Sequence, residues 1–348
     1  MSAPTHRRIR ANGITLEVTE AGRGPPVVFC HGFPGLGYSF RHQLPALAAA
    51  GWHGIAPDQR GYGGSDRPTE PALYDANYVM DDMLGLLDAL GEERAVFVGH
   101  DFGAQQVCNL AVRHPGRVAA VVIMSCPYDF DLAGRGGAGT RTVPTEAERR
   151  GAFAVPGMRP SDAFAALARH HFFHMHYFQS VGPAERELGA RPREFLLRLL
   201  HALSAEGHLL DWSKFPSEGT GYLDVLAPAP PLPWRWLSEA EFETMLRAYT
   251  SDTPATSFIG GLNSYRCADR NWELGAPYAE SPITQPALFI AGAEDVVLKM
   301  IPPHAIDSMR QRTPQLRDVV LVPGAGHFVQ QEQPHAVNAA LLEFLRGL

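Results

Sequence analysis

The sequence predicts an α/β protein whose mostly parallel, doubly wound sheet carries an inserted helical cap. Three observations lead there. Short, continuous apolar runs alternate with helical patterns at both ends of the chain. The alternation stops after Met124 and resumes only at Ala287. The 348 residues exceed one ordinary domain of roughly 150, so a second unit must be accommodated. We expect a core formed by residues 1–127 and 281–348, with a helical cap over 128–280. Such a cap would lie over the carboxyl ends of the strands, where ligands of these sheets bind.

Each element has its own signal. RIRANGITLEV (8–18) reads as a hairpin, because Asn12-Gly13 tolerates two positive φ angles between alternating strands. VVFC (27–30), HGIAP (53–57), AVFVG (95–99) and AAVVIM (119–124) read as buried strands. Apolar residues from Tyr78 to Leu90 recur at helical spacing, and Gly91 follows as a stop. QQVCNLAVRH (105–114) predicts the next helix. Residues 130–160, rich in Gly, Arg and Pro, read as a mobile loop. A helical pattern runs from Pro160 to about Leu210, and residues 211–236 contain a Pro-rich stretch. Ser238 with Glu241 predicts a capping box on a helix reaching about Ala248. ALFIA (287–291), a helix near 302–311, DVVLV (318–322) and a last helix over 336–345 complete the core.

Composition removes several function classes. Apolar residues make up 45% and charged residues 19%, which excludes a disordered chain. Thirty Lys+Arg against 37 Asp+Glu, with no basic cluster, argue against nucleic acid or an anionic membrane as partner. No apolar run approaches the ~20 residues of a membrane-spanning helix, and the N-terminus lacks the apolar core of a secretory signal. Cys30, Cys108, Cys126 and Cys267 form no CxxC and read as buried thiols in a reducing, cytoplasmic setting. Oligomeric state is left open, a homodimer being one option.

The chemistry centres on VFVGHDFGAQQV (96–107), a strand, then Gly99-His100-Asp101-Phe102-Gly103, then a helix. Small residues two before and two after Asp101 permit a sharp turn that exposes its side chain. Serine occupies this position in most such elbows, yet the chain contains no G-x-S-x-G. An attacking carboxylate forms an alkyl ester with an sp³ carbon, whereas serine forms an acyl ester. The competing reading is that Asp101 only caps the helix. His327, in PGAGHFVQ after a late strand, has small neighbours that leave room for it to reach the elbow. Asp295, just past ALFIA, can orient that imidazole, with Glu294 as the neighbouring alternative. The backbone N–H groups of Phe33 and Phe102 would form an oxyanion hole beside Pro34, which has no N–H.

Together, HGFPGLGYSFRHQLPALAAAGW, APDQRGYGGSDRP and VGHDFGA resemble the epoxide hydrolase group of the α/β-hydrolase fold. The segments YFQSVGPAE, LPWRWLSEAEF and GGLNSYR resemble that group's lid, so the likeness spans nearly the whole chain. It implies a covalent alkyl-enzyme mechanism with no cofactor, acting on a small apolar epoxide and water. Asp101 matches the nucleophile, Asp295 the acid, His327 the base, and Phe33 and Phe102 the oxyanion donors. Tyr265 matches one of two lid tyrosines that hold the epoxide oxygen; the second position carries His174, as in a bacterial subgroup pairing His with Tyr. That subgroup's relay acid can lie at a position matching Ser125, which cannot serve, and this favours Asp295. His31, Pro34, His100, Phe173, Tyr177 and Phe328 are expected around the substrate pocket.

Two other functions compete. A haloalkane or haloacid dehalogenase uses a similar triad, but commonly places Trp or Arg after the nucleophile to hold halide, where this chain has Phe102. A non-catalytic ligand-binding protein would need the pocket but not Asp295 and His327 together. His170 and His174, i and i+4 in HHFFHMH (170–176), invite a metal reading, but no HExxH or third ligand accompanies them, and no metal is expected.

Overall fold

A computed structural model of the chain describes residues 4–128, 157–250, 253–301 and 305–348. Eight strands form one sheet in the order β1-β2-β4-β3-β5-β6-β7-β8. They are β1 (Thr5–Ala11), β2 (Ile14–Ala21), β3 (Pro26–Cys30), β4 (His53–Pro57), β5 (Ala95–His100), β6 (Val118–Met124), β7 (Ala287–Gly292) and β8 (Leu316–Val322). β1–β2 and β2–β4 pair antiparallel, and every other pair is parallel. Asn12 (φ 47°) and Gly13 (φ 79°) make the hairpin turn that their sequence predicts. β3, β5 and β7 are buried along their whole length, as their unbroken apolar runs require.

Helices cover both faces. α1 (Gln43–Ala49), α2 (Ala76–Leu90) and α3 (Phe102–Arg113) follow β3, β4 and β5, and the helix Pro334–Arg346 closes the chain. Gly91 ends α2 at φ 74°, the left-handed stop that glycine accepts without a Cβ penalty. Asp75 caps the other end, accepting from the N–H groups of Asn77 and Tyr78. α3 begins at Phe102, three residues earlier than its periodicity indicates, because the turn at Asp101 leads straight into it.

The inserted region is helical in short pieces: Pro160–Ala168, His174–Tyr177, Pro183–Ala190, Pro192–Leu203, Glu239–Tyr249, Ile259–Arg266 and Ala268–Gly275. Most of the expected loop at 130–160 lies outside the described residues. Phe195, Leu199, Tyr222, Phe242, Tyr249 and Phe258 fill a core of their own, which also takes in Phe33 and Phe328 from the sheet side. The inserted region and the sheet therefore share apolar packing. No helix among the described residues is long and apolar enough to cross a membrane. All four cysteines are buried.

Candidate active site

Asp101 stands between β5 and α3 with φ 57°, a region that non-glycine residues occupy rarely and at a cost. The glycines on either side make this turn possible. A Cβ on Gly103 would strike the Cys30 carbonyl, and one on Gly99 would strike the Gly103 carbonyl. The Asp101 side chain makes no capping hydrogen bond to its helix. It turns instead to the loop after β3, where the Phe33 N–H donates to Oδ1 at 2.9 Å. A side chain at Gly32 would overlap this carboxylate.

The other oxygen, Oδ2, lies 3.6 Å from His327 Nε2. His327 Nδ1 lies 3.2 Å from Asp295 Oδ2. Asp295 also accepts the Val297 N–H at 2.8 Å, which fixes its rotamer at the start of a short helix. Glu294 points elsewhere and accepts the Ala325 N–H. The side chains of His327 and Asp295 are 1% and 0% accessible, but Asp101 retains 17%. Of the three, only Asp101 is open to an incoming molecule.

Electrostatics follow from this enclosure. Burial opposes the charge on His327, but the facing Asp295 and Asp101 carboxylates overcome it and raise its pKa above the ordinary histidine value. Burial likewise works against the Asp101 charge, and His327 outweighs it, so the carboxyl sits below its usual value.

The loop carrying His327 is held at every backbone group. Its N–H donates to the Leu203 carbonyl at 2.9 Å. Its carbonyl accepts from His100 Nε2 at 2.7 Å and Ser125 Oγ at 3.0 Å. The buried Glu332 carboxylate accepts the N–H groups on either side, Gly326 at 2.9 Å and Phe328 at 3.1 Å, and that of Ala205 at 2.8 Å. Leu203 and Ala205 belong to the inserted region, so the cap itself helps to hold the imidazole.

Above Asp101, Tyr265 meets Phe102 edge-on at 4.8 Å between ring centroids. The His174 ring is 5.5 Å from the Tyr265 ring, perpendicular to it, and is enclosed further by Phe178, Trp212 and Tyr222. Burial pushes His174 down to about 3, so its imidazole is neutral. Its Nδ1 is buried with no partner. Burial and the Asp101 charge push the Tyr265 phenol well up, so it keeps its proton.

The structure thus brings together Asp101, Asp295, His327, Phe33, Phe102, Tyr265 and His174. The residues expected around the pocket have the following partners. Burial pushes His31 and His100 down to about 4, and their ring nitrogens serve the backbone. His31 Nδ1 meets the Gly32 carbonyl at 2.9 Å, and its Nε2 accepts the Gln59 N–H at 3.0 Å. Tyr177 gives its hydroxyl to Glu187 at 2.7 Å. Phe173 joins Phe164 and Leu167 in a separate cluster, and Phe328 stacks on Trp236. Pro34 is buried behind the cis bond to Phe33. A cavity reaches the site at His31, Tyr62 and Phe102 and runs between α2, α3 and the helix Ala268–Gly275; Asp101, His174 and Tyr265 are not part of its lining. His170 is exposed while His174 is buried, so they share no ligand position. Sequence reasoning missed Glu332 and Tyr222. An acid between a late histidine and Pro334 was a usable signal for the first; the second lies in an aperiodic stretch.

A strained elbow after β5, an acid after β7 and a histidine after β8 over a parallel sheet define the α/β-hydrolase class, and the model of that fold matches residues 25–334. Within that class the chain belongs to the epoxide hydrolases. It is 41% identical to epoxide hydrolase A of Mycobacterium tuberculosis over 100% of this chain and 99% of the relative. It is 37% identical to an epoxide hydrolase of Caballeronia sordidicola, covering 97% and 92%. Among solved structures, epoxide hydrolase A from Mycobacterium thermoresistibile superposes with a TM-score of 0.82 at 41% identity, covering 99% of both chains. An epoxide hydrolase from an endophytic Streptomyces gives 0.84 at 34%, covering 100% and 96%.

Proposed function

We propose that the chain opens an epoxide to a vicinal diol through a covalent ester on Asp101. Oδ2 attacks an epoxide carbon, a C–O bond forms, and the ring C–O bond breaks. The oxygen set free carries negative charge and meets Tyr265 and His174. Tyr265 gives the proton. His174 donates from Nε2, since a buried N–H without an acceptor costs more than a buried lone pair and the proton therefore avoids Nδ1. Oδ1 stays in the grip of the Phe33 N–H and becomes the ester carbonyl.

Water then adds to that carbonyl. His327 takes the water's proton, and the oxyanion on Oδ1 is held by the N–H groups of Phe33 and Phe102. Collapse of the tetrahedral species breaks the ester C–O bond, and the expelled diol oxygen takes the proton held by His327. Water's second proton, left on the re-formed Asp101 carboxyl, passes to the Tyr265 phenolate and so restores both the carboxylate and the phenol. On the same reading, residues 128–280 are the cap that carries the donors, and 1–127 with 281–348 the core that carries nucleophile, acid and base.

The observation that supports this most is the division of access. The carboxylate aimed at by a backbone N–H and an imidazole is the one member of the triad that a substrate can touch. The test is His327→Gln incubated with styrene oxide. The ester should accumulate, raising the intact mass by that of one epoxide, and peptide mapping should place it on Asp101. An unmodified protein, or an adduct elsewhere, contradicts the reading.

A further inference from the structure

Tyr222 is buried in the cap, and the mechanism above leaves it unused. Its backbone is fixed: the N–H groups of Tyr222 and Leu223 both donate to the Glu187 carboxylate, at 2.9 Å and 3.0 Å. Its ring is fixed as well. It lies parallel to the His174 ring, 13° apart in plane and 5.7 Å between centroids. Phe178 meets it edge-on at 5.2 Å, and Phe172 and Phe195 close the sides.

The hydroxyl is the exception to this order. Glu187 spends its remaining reach on the Tyr177 hydroxyl, and the Tyr222 hydroxyl makes no hydrogen bond among the described residues. The ring of this phenol is buried, but its oxygen is not sealed in and opens on free space. Burial raises this one, and the charge it feels besides is that of Asp101, not of Glu187 beneath its own backbone. The Tyr265 phenol in turn feels Asp101 and then Tyr222. Geometry puts the two phenols round the same imidazole: the His174 ring is 5.7 Å from the Tyr222 ring and 5.5 Å from the Tyr265 ring, and Phe178 touches both, at 5.2 Å and 5.1 Å.

We propose that Tyr222 is a third lid donor, contacting the same epoxide oxygen as Tyr265 and His174. The proposal rests on the ring-opening reading above. An alkoxide has three lone pairs and accepts three donors, whereas neutral His174 offers a single N–H. Tyr222 supplies a hydrogen bond only; the proton still comes from Tyr265, so the balance of the reaction is unchanged. The pair of phenols stays protonated throughout the working pH range, which a histidine near its ordinary pKa of about 6.5 would not.

The test is Tyr222→Phe in the His327→Gln background, where ester formation is read alone by rapid-quench mass measurement with styrene oxide. The ring and its stacking remain, and the atom removed has no protein partner, so folding should survive with an unchanged melting temperature. Ester formation should slow by about 10–100-fold, as for loss of one donor at a developing oxyanion. With His327 intact, decay of the ester in a single turnover should keep its normal rate. Tyr222→Phe and Tyr265→Phe combined should cost less than the product of their separate effects, since both act on one oxygen. Ester formation at the parent rate in Tyr222→Phe, with Tyr265→Phe slowed, overturns the proposal and leaves the ester mechanism standing. Equal slowing of formation and decay also overturns it. No ester in any of these variants, the His327→Gln parent included, sinks the ester mechanism itself.

Discussion

Two carboxylates face one imidazole at the centre of this site, and their loss has opposite timing. While both are charged, Asp295 and Asp101 raise His327 above the ordinary histidine pKa. In the proposed mechanism, esterification would neutralise Asp101 and leave Asp295 alone to support the imidazolium. Only the neutral imidazole can take a proton from water, so ester decay should rise with pH through the His327 pKa of the alkylated enzyme. Asp295→Asn removes the remaining charge, which lowers that pKa. The rising limb should move to lower pH, and the plateau should fall by roughly 10²–10⁴. Single-turnover ester decay across pH 5–9 measures both; a limb that stays in place means Asp295 is not the partner. His174 makes a second prediction at this scale. Held at about 3 by burial, it is neutral throughout that range. Ester formation should therefore show no falling limb near pH 6.5, while His174→Phe should slow it by about 10–10³. A wild-type rate in that variant would reduce His174 to pocket lining. That Asp101, His327 and Asp295 meet was legible because each follows an apolar strand run and has small residues close by; β5 and β7 are buried throughout, β8 only at Val322. Glu294 and Asp295 could not be separated by sequence alone, since both follow β7; the turn decides, giving Glu294 to the Ala325 N–H. Tyr222 was not legible, because 211–236 has no period and its placement depends on Glu187, 35 residues away.

At the level of elements, the loop of the base depends on Glu332. Its carboxylate satisfies three buried N–H groups, two of them flanking His327. Glu332→Ala would orphan all three, at about 1–3 kcal/mol each before relaxation. We expect a loss of about 3 kcal/mol in urea unfolding, with ester decay impaired more than ester formation. Unchanged stability would show that the loop is held by Leu203, His100 and Ser125 alone. The helix Glu239–Tyr249 carries the predicted capping box, Ser238 with Glu241, and Glu241 also meets Arg41 of the core at 2.8 Å. Burial opposes the Glu241 charge, but Ser238 and Arg41 outweigh it and bring the carboxyl down from 4.5 to about 2. A depressed carboxylate stabilises the fold above its unfolded pKa, and that contribution is lost as pH falls through the folded value. The melting-temperature gap between wild type and Glu241→Gln should therefore be full above about pH 4.5 and vanish toward about pH 2. A gap independent of pH would mean the charge contributes nothing. The hairpin was legible from Asn12-Gly13 between alternating strands, the parallel strands from their unbroken apolar runs, and α2 from a helical period sustained over fifteen residues. The helical pattern from Pro160 to about Leu210 was legible as one stretch, but its division into helices of four to nine residues was not, because each completes too few turns to mark its own ends.

Taken as one molecule, the inserted region holds the loops that carry His327 and Phe33. Leu203 and Ala205 grip the base loop. The Tyr249 hydroxyl donates to the Gly35 carbonyl at 3.0 Å, next to the turn that presents Phe33. Gly261 lets its helix approach the Phe33 ring so closely that a Cβ there would enter it. Asp101, Phe33, His327, Tyr265 and His174 thus belong to one packed body, which suits the proposed two-step reaction on a single carboxylate. The central claim is that Asp101 becomes covalently bound and is hydrolysed at its own carbonyl. The most direct measurement is a single turnover in ¹⁸O water with enzyme in excess, followed by mass analysis of the peptide containing Asp101 and of the diol. The account predicts label in the Asp101 carboxylate and unlabelled diol. Label in the diol alone, with Asp101 unlabelled, would mean that water attacks the epoxide directly and would contradict it.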